Sequence, residues 1–95
     1  MSRRTSTVVE NLSLTLANTE YPLDLDRGLS ELTVKLRGSY DFKYSFKSGD
    51  IALGTYLTIP SGSSKTWAEL FMVNQTIYFA CAEAGQVMEI EKVLE

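Results

Sequence analysis

Hydrophobic residues occupy every second position in several segments between Thr55 and Val93. Because successive side chains of a β-strand point to opposite faces, this period places the hydrophobic residues on one face of a pleated sheet. The alternating positions are Leu57 and Ile59, Trp67 and Phe71, Ile77, Phe79 and Cys81, and Met88 and Ile90. The sequence therefore predicts strands over residues 55–59, 66–72, 76–82 and 86–93, with turns at residues 60–65 and at Gly85.

The N-terminal half contains further alternating segments. They cover residues 12–16, 32–37 and 40–47. Gly38 and Ser39 are turn-forming residues between the last two segments. This arrangement predicts that residues 40–47 pair with residues 32–37 as a hairpin.

Residues 18–27 interrupt the alternation. Pro22 lies within this segment, and a proline lacks the N–H group that a central strand position donates to its neighbour. We therefore expect Leu23 and Leu25 to belong to an irregular crossing or to a short edge strand.

Turn signals recur about every 8 to 12 residues, and no helical period is sustained over the length that a helix needs. The pattern predicts an all-β fold, a single-domain antiparallel β-sandwich or jelly-roll-like barrel of about seven or eight strands. Thr66 and Glu69 have the spacing of a capping box, so a short helix over residues 68–73 is the local alternative to a strand. We expect residues 1–11 to form an extended N-terminal arm and residues 12–95 to form the sandwich.

The composition restricts the classes of partner. A chain of 95 residues forms one domain near the size at which a single core just suffices, so association with other copies would add stability. The net charge of −3 argues against binding to nucleic acid, which requires clustered basic residues. The start of the chain lacks the apolar run of a secretory signal, and no segment approaches the roughly 20 apolar residues of a membrane helix. We expect a soluble protein that is synthesised in a cytoplasm and does not bind membranes.

The residue types that perform common catalysis are scarce. The chain has no histidine and a single cysteine, which excludes Ser-His triads and makes a zinc centre very unfavourable. Cys81 is in phase with Ile77 and Phe79, which predicts a small buried hydrophobic side chain rather than a reactive thiol. Glu89 and Glu91 share the face opposite the hydrophobic residues of their strand, which is expected to be solvated or turned to a partner. We predict a protein that is not an enzyme and holds no cofactor or metal ion.

Two loops resemble known binding motifs only in part. Residues 62–66 are similar to the end of a phosphate-binding loop, but Ser64 stands where that motif requires glycine before the lysine. Asp24, Asp26 and Glu31 are acidic residues near a glycine, but their spacing does not match a calcium-binding loop. Both segments are predicted to be surface turns.

The chain has enough aromatic residues to form a platform on which sugars stack. In a small β domain, however, aromatic residues usually lie in the core or at a subunit interface. Tyr78 is predicted on the face opposite Ile77 and Phe79, where it could contact another subunit. Arg3 and Arg4 form either a loose solvated end or an arm that docks on a neighbour. The candidate residues for contact with another subunit or another partner are therefore Arg3, Arg4 and Tyr78.

A family resemblance extends over residues 14–93. Its segments are Ala-Asn-Thr-Glu-Tyr at 17–21, Leu-Thr-Val-Lys-Leu-Arg at 32–37, Tyr-Asp-Phe-Lys-Tyr-Ser-Phe at 40–46, Tyr-Leu-Thr-Ile-Pro-Ser-Gly at 56–62, Thr-Ile-Tyr-Phe-Ala at 76–80, and Ala-Gly-Gln-Val-Met-Glu-Ile-Glu at 84–91. In this succession the chain resembles small proteins encoded among the virion genes of tailed bacteriophages and prophages. These segments are patterns of strands and turns, so the resemblance assigns no functional residue.

The resemblance implies a capsid decoration, or cement, protein that binds the outer surface of the shell of major capsid protein and stabilises it as a trimer. Two alternatives remain open. One is a component of the head–tail junction, the tail or a head fibre. The other is a module that binds host carbohydrate through the serine- and glycine-rich loop and stacking by Tyr or Trp67.

Overall fold

A computed structural model describes residues 6–25, 29–68 and 75–94. These residues form eight β-strands and no helix. The strands are β1 (Ser6–Leu14), β2 (Tyr21–Leu25), β3 (Leu29–Leu36), β4 (Phe42–Ser45), β5 (Leu57–Ile59), β6 (Ser64–Trp67), β7 (Gln75–Cys81) and β8 (Gln86–Leu94).

The strands pair antiparallel in two four-stranded sheets. Sheet A has the order β1-β8-β3-β6 and sheet B has the order β2-β7-β4-β5. The chain passes from one sheet to the other at every connection except that between β4 and β5. This order is that of an eight-stranded jelly roll, and the prediction of a single-domain antiparallel sandwich of the jelly-roll kind is confirmed.

The core lies between the two sheets and contains the residues that alternate along the strands. Sheet A contributes Leu14, Leu32, Val34, Leu36, Met88 and Ile90, and sheet B contributes Leu23, Leu25, Phe42, Tyr44, Ile59, Ile77, Phe79 and Cys81. Cys81 is a free thiol with only 2% of its surface exposed, which confirms the prediction of a buried hydrophobic side chain.

The predicted hairpin between residues 32–37 and 40–47 is wrong. β3 pairs with β6 and β8, whereas β4 pairs with β5 and β7 in the other sheet. The alternation correctly identifies the inward residues, but two inward faces can lie opposite each other across a core as well as side by side in one sheet. Residues 37–41 therefore connect the two sheets.

Of the two possibilities for Leu23 and Leu25, an irregular crossing or a short edge strand, β2 is the edge strand. It lies at the edge of sheet B and pairs with β7, with Leu23 and Leu25 buried and Pro22 exposed. An edge position tolerates proline because one side of the strand has no neighbour to receive its N–H groups.

Several strand bounds differ from the predicted ones. Residues 6–11 were expected in an extended arm, but they lie in β1 and pair with β8 from Ser6↔Leu94 to Asn11↔Glu89. The strand predicted over residues 66–72 is described as Ser64–Trp67. Most of the alternative helix over residues 68–73, and residues 1–5 of the arm, lie outside the described residues.

Candidate functional site

An open groove of about 370 Å³ lies at the β5 edge of sheet B, between the end of β4 and the connection from β4 to β5. We call it the aromatic groove. It is lined by Tyr44, Ser45, Phe46, Lys47, Asp50, Thr55, Tyr56 and Leu57. Phe46 exposes 42% of its surface, Tyr56 39% and Leu57 59%, so the groove presents apolar side chains to solvent. Clustered exposed apolar groups of this kind are typical of contact surfaces.

The rings of Tyr44, Phe46 and Trp67 pack against one another beside the groove. Tyr44 meets Trp67 edge to face, with ring centroids 5.2 Å apart and an interplanar angle of 90°. Phe46 meets Tyr44 at 6.0 Å and Trp67 at 6.4 Å in similar orientations. Edge-to-face contacts are favourable because the positive edge of one ring faces the negative face of another. Since Trp67 belongs to β6 of sheet A, the cluster joins the two sheets and fixes the base of the groove.

Tyr44 is the one member of this cluster that carries a hydroxyl group into the interior. Burial raises the pKa of its phenol above the ordinary value of 10.0, because the ionised form would lose its hydration. Tyr44 therefore stays protonated to a higher pH than an exposed tyrosine would.

The connection between β4 and β5 is anchored by Glu20, which precedes β2 at the opposite edge of sheet B. The carboxylate of Glu20 accepts a hydrogen bond from the backbone N–H of Gly49 at 2.9 Å and another from Ile51 at 3.3 Å. The connection thus crosses the outer face of sheet B. Ser45 and Ala80 are buried there although their strand positions point away from the core.

Three lysines lie around the aromatic side chains. The ammonium of Lys43 is 4.5 Å from the ring centroid of Tyr56, and that of Lys65 is 5.7 Å from the ring of Trp67. Lys47 lines the groove itself. Asp50 also lines the groove, so the border of the apolar surface carries three lysines and one carboxylate and is locally cationic in a chain with a net charge of −3.

The outer face of sheet A has a different character. A hollow of about 290 Å³ is lined there mainly by polar and charged side chains of β1, β3 and β8. Glu89 accepts a hydrogen bond from Arg37 Nε at 3.2 Å, and both side chains are about half exposed. Exposed ion pairs of this kind contribute at most about 1 kcal/mol. The arrangement confirms that Glu89 and Glu91 lie opposite Met88 and Ile90, and it provides no buried carboxylate for acid catalysis.

The structure also contains an ion pair between a buried lysine and a partly exposed glutamate, which the sequence analysis missed. Lys92 is 3% exposed, and its Nζ lies 2.9 Å from Oε1 of Glu10. The sequence did indicate that Lys92 faces inward, because it is in phase with the inward residues Met88 and Ile90. The pair connects the side chains of β1 and β8, which adds to the backbone pairing of these strands.

The structure places only part of the predicted contact set. Tyr78 faces away from the core, half-buried, between Pro22 and Ser45 in the strand register, which confirms its predicted face. Arg3 and Arg4 lie outside the described residues. Contact of any of these three residues with a capsid or another subunit stays a prediction.

Residues 60–63 form an exposed turn, whereas Asp24 lies in β2, Glu31 lies in β3, and residues 26–28 between them lie outside the described residues. Gly62, with φ of 80°, lies in the turn before β6, and no helix follows it, so this loop is not a phosphate-binding loop. Asp24 is exposed and accepts a hydrogen bond from the Thr76 hydroxyl at 2.9 Å. Within residues 6–25, 29–68 and 75–94, no three Cys, Asp or Glu side chains converge as metal ligands. The described part of the chain contains no helix with the length and apolarity needed to cross a membrane.

Comparison with known proteins identifies no family. No protein-family model and no curated protein matches the chain. Among solved structures, a de novo designed double-stranded beta-helix is 16% identical, with a TM-score of 0.48 over 96% of this chain and 99% of its own. A structure of Bacillus endospore appendages, which form disulfide-linked pili, is 18% identical, with a TM-score of 0.44 over 97% of this chain and 88% of its own. The jelly-roll fold is therefore identified by the strand order alone.

Proposed function

We propose that this chain is a non-enzymatic structural protein of a bacteriophage virion, a decoration protein that binds the outer surface of the shell of major capsid protein and stabilises it. The observation that carries the proposal is the aromatic groove, an apolar surface with a cationic border on a rigid β-sandwich. Such a surface suits adhesion, and the described residues around it include no histidine and no metal-ligand cluster.

The groove is the surface that we assign to the capsid. Aromatic side chains provide large contact areas that lose little conformational entropy on binding, and they are enriched at the centres of protein interfaces. Lys43, Lys47 and Lys65 would complement an acidic surface of the capsid subunit. Many symmetric sites on one shell would multiply a modest affinity at each site. The trimer implied by the resemblance stays a prediction.

Co-sedimentation with empty capsids of the phage or prophage that carries the chain tests the proposal. Leu57→Glu places a charge in the groove at a side chain that is 59% exposed, and we expect it to abolish binding without unfolding the protein. Leu16→Glu makes the same change at a side chain that is 60% exposed outside the groove, and we expect it to bind normally. Absence of binding by the unaltered protein would refute the decoration role, and equal binding by both variants would remove the groove from it.

Two alternatives are separated by further measurements. A protein of the head–tail junction, tail or head fibre would be present in about a dozen copies or fewer per particle, whereas a shell protein would be present in hundreds, on the order set by capsid symmetry. A carbohydrate-binding module is favoured by one observation, the partly exposed ring of Tyr56 beside the polar groups of Asp50 and Thr55. A glycan array with Tyr56→Ala as the control tests it, because sugar stacking on Tyr56 would be lost in that variant.

A further inference from the structure

The four edge strands of the sandwich are not equally protected against pairing with another chain. Edge strands present unpaired N–H and C=O groups, and native proteins block them with short strands, prolines, charges or bulges. Among the described residues, β5 has three residues and β6 has four, one of them Lys65. β2 has five residues, which include Pro22 and the exposed Asp24. Three edges therefore carry a recognised form of protection.

β1 carries only one of these forms of protection, a single charged residue. It has nine residues without proline, and its register with β8 runs without a bulge from Ser6↔Leu94 to Leu14↔Gln86. Its one charged residue, Glu10, is paired with Lys92. Its outward positions are uncharged, and among them Val9 exposes 72% of its surface. A long, regular edge whose single charge is already paired and whose outward face exposes a valine is a surface suited to strand addition.

We propose that β1 pairs antiparallel with β1 of a second copy of this chain, so that the two copies of sheet A continue as one sheet across a two-fold axis. The length of each possible pairing favours a second β1, because the shorter strand limits how many residues can pair. The other described edges of a second copy offer at most five residues. A two-fold contact between identical strands is also the commonest form of closed association.

Charge selects the register. Directly opposed residues lie on the same face of a sheet, so a two-fold axis perpendicular to the sheet must pass beside one residue and its own copy. Centring the pair on Glu10 would place two carboxylates opposite each other, which is unfavourable. Centring it on Val9 covers the most exposed side chain of β1 with the partner subunit's Val9. Thr7 then lies opposite the partner subunit's Asn11, and Val8 opposite the partner subunit's Glu10, so no like charges are opposed.

The mass of the free protein in solution, measured by sedimentation equilibrium, is the first test. We expect twice the 10.6 kDa of one chain at micromolar concentration or above. Val9→Lys would place two ammonium groups opposite each other and should halve the mass, while its melting temperature confirms that the exposed position tolerates the change. Ser64→Lys adds the same charge at an exposed position of β6, the other edge of sheet A, and should leave the dimer intact.

A mixture of charge variants tests the register. Val9→Lys and Val9→Glu should each be monomeric alone and should form a dimer together, because only a contact centred on residue 9 places these two side chains opposite each other. Amide hydrogen exchange of the unaltered protein provides a measurement without substitution, since protection of β1 should rise with protein concentration.

Several results would overturn the inference. They are a monomeric or trimeric unaltered protein, a Val9→Lys variant that remains dimeric, a Ser64→Lys variant that dissociates, a charge mixture that stays monomeric, and protection of β1 that is independent of concentration. The inference concerns the free protein alone, where the dimer replaces the trimer that the resemblance implies. Its failure would leave binding to capsids untouched, and failure of the decoration proposal would leave the dimer untouched.

Discussion

Replacing Glu20 with alanine should release the connection between β4 and β5 from the outer face of sheet B. The carboxylate accepts hydrogen bonds from Gly49 N–H, at 2.9 Å to Oε1 and 3.1 Å to Oε2, and from Ile51 N–H at 3.3 Å to Oε2. A hydrogen bond to a charged group contributes about 1.5 to 3 kcal/mol. Because the Ile51 bond is long and the site is only partly buried, we expect Glu20→Ala to lower the free energy of unfolding by about 2 kcal/mol.

Glu20→Gln should have a smaller effect of about 1 kcal/mol, because a neutral hydrogen bond is weaker than a charge-assisted one. The glutamine oxygen can take the position of Oε2 and still accept both N–H groups. Its NH₂ group then replaces Oε1, which is 2.9 Å from the Gly49 nitrogen and accepts its N–H in the unaltered protein. The order of stability should therefore be glutamate, then glutamine, then alanine.

Urea denaturation measures the free energy of unfolding, and limited proteolysis detects release of residues 47–54. Glu83→Ala is the matched control, since it removes an exposed carboxylate in the turn between β7 and β8, and it should change neither measurement. If Glu20→Ala left the free energy of unfolding within about 0.5 kcal/mol of the unaltered value and the connection equally resistant to protease, the anchoring role of Glu20 would be refuted.

Two further predictions concern backbone conformation and pH. Gly85→Ala should cost about 1 kcal/mol of unfolding free energy, because Gly85 has φ of 75° and an L side chain is strained there even though the space around it is open. Gly38→Ala should cost less than about 0.5 kcal/mol. The added Cβ meets only the amide end of the flexible Gln86 side chain, and Gly38 does not have a positive φ. Equal losses of unfolding free energy in the two variants, measured by urea denaturation, would contradict this reasoning. For Tyr44, the pKa of the phenol is higher in the folded than in the unfolded protein, so its contribution to stability is complete below about pH 10 and is lost as the pH rises through the folded-state pKa. Urea denaturation between about pH 9 and 11 should show a steeper loss of stability for the unaltered protein than for Tyr44→Phe, and parallel curves would exclude Tyr44 as the cause.

The period of two in the sequence was sufficient to predict the all-β class, most of the strands and the residues of the core. It placed Cys81 among buried residues and put Tyr78 on the outer face, and Pro22 marked β2 as an edge strand. These predictions succeed because the direction of a side chain from a strand depends on the parity of its position, which is a local property.

The sequence predicted less of the candidate site than of the fold. The sequence indicated that aromatic residues were abundant, but the groove also depends on Trp67 in the other sheet and on Glu20 at the far edge of sheet B. Neither residue is near the groove in sequence. The edge position of β1 was likewise not predictable from the sequence, because only the strand order shows which strands have a single neighbour.

The amino-acid sequence by itself determined which residues of this protein face inward and that it has no histidine and a single cysteine. The tertiary structure alone decided that β3 and β4 face each other across the core, that Glu20 anchors a distant connection, and that β1 is left with a free side. The physical reason is that alternation specifies the face on which a side chain lies, whereas the neighbours of a strand are selected by long-range packing of the whole chain.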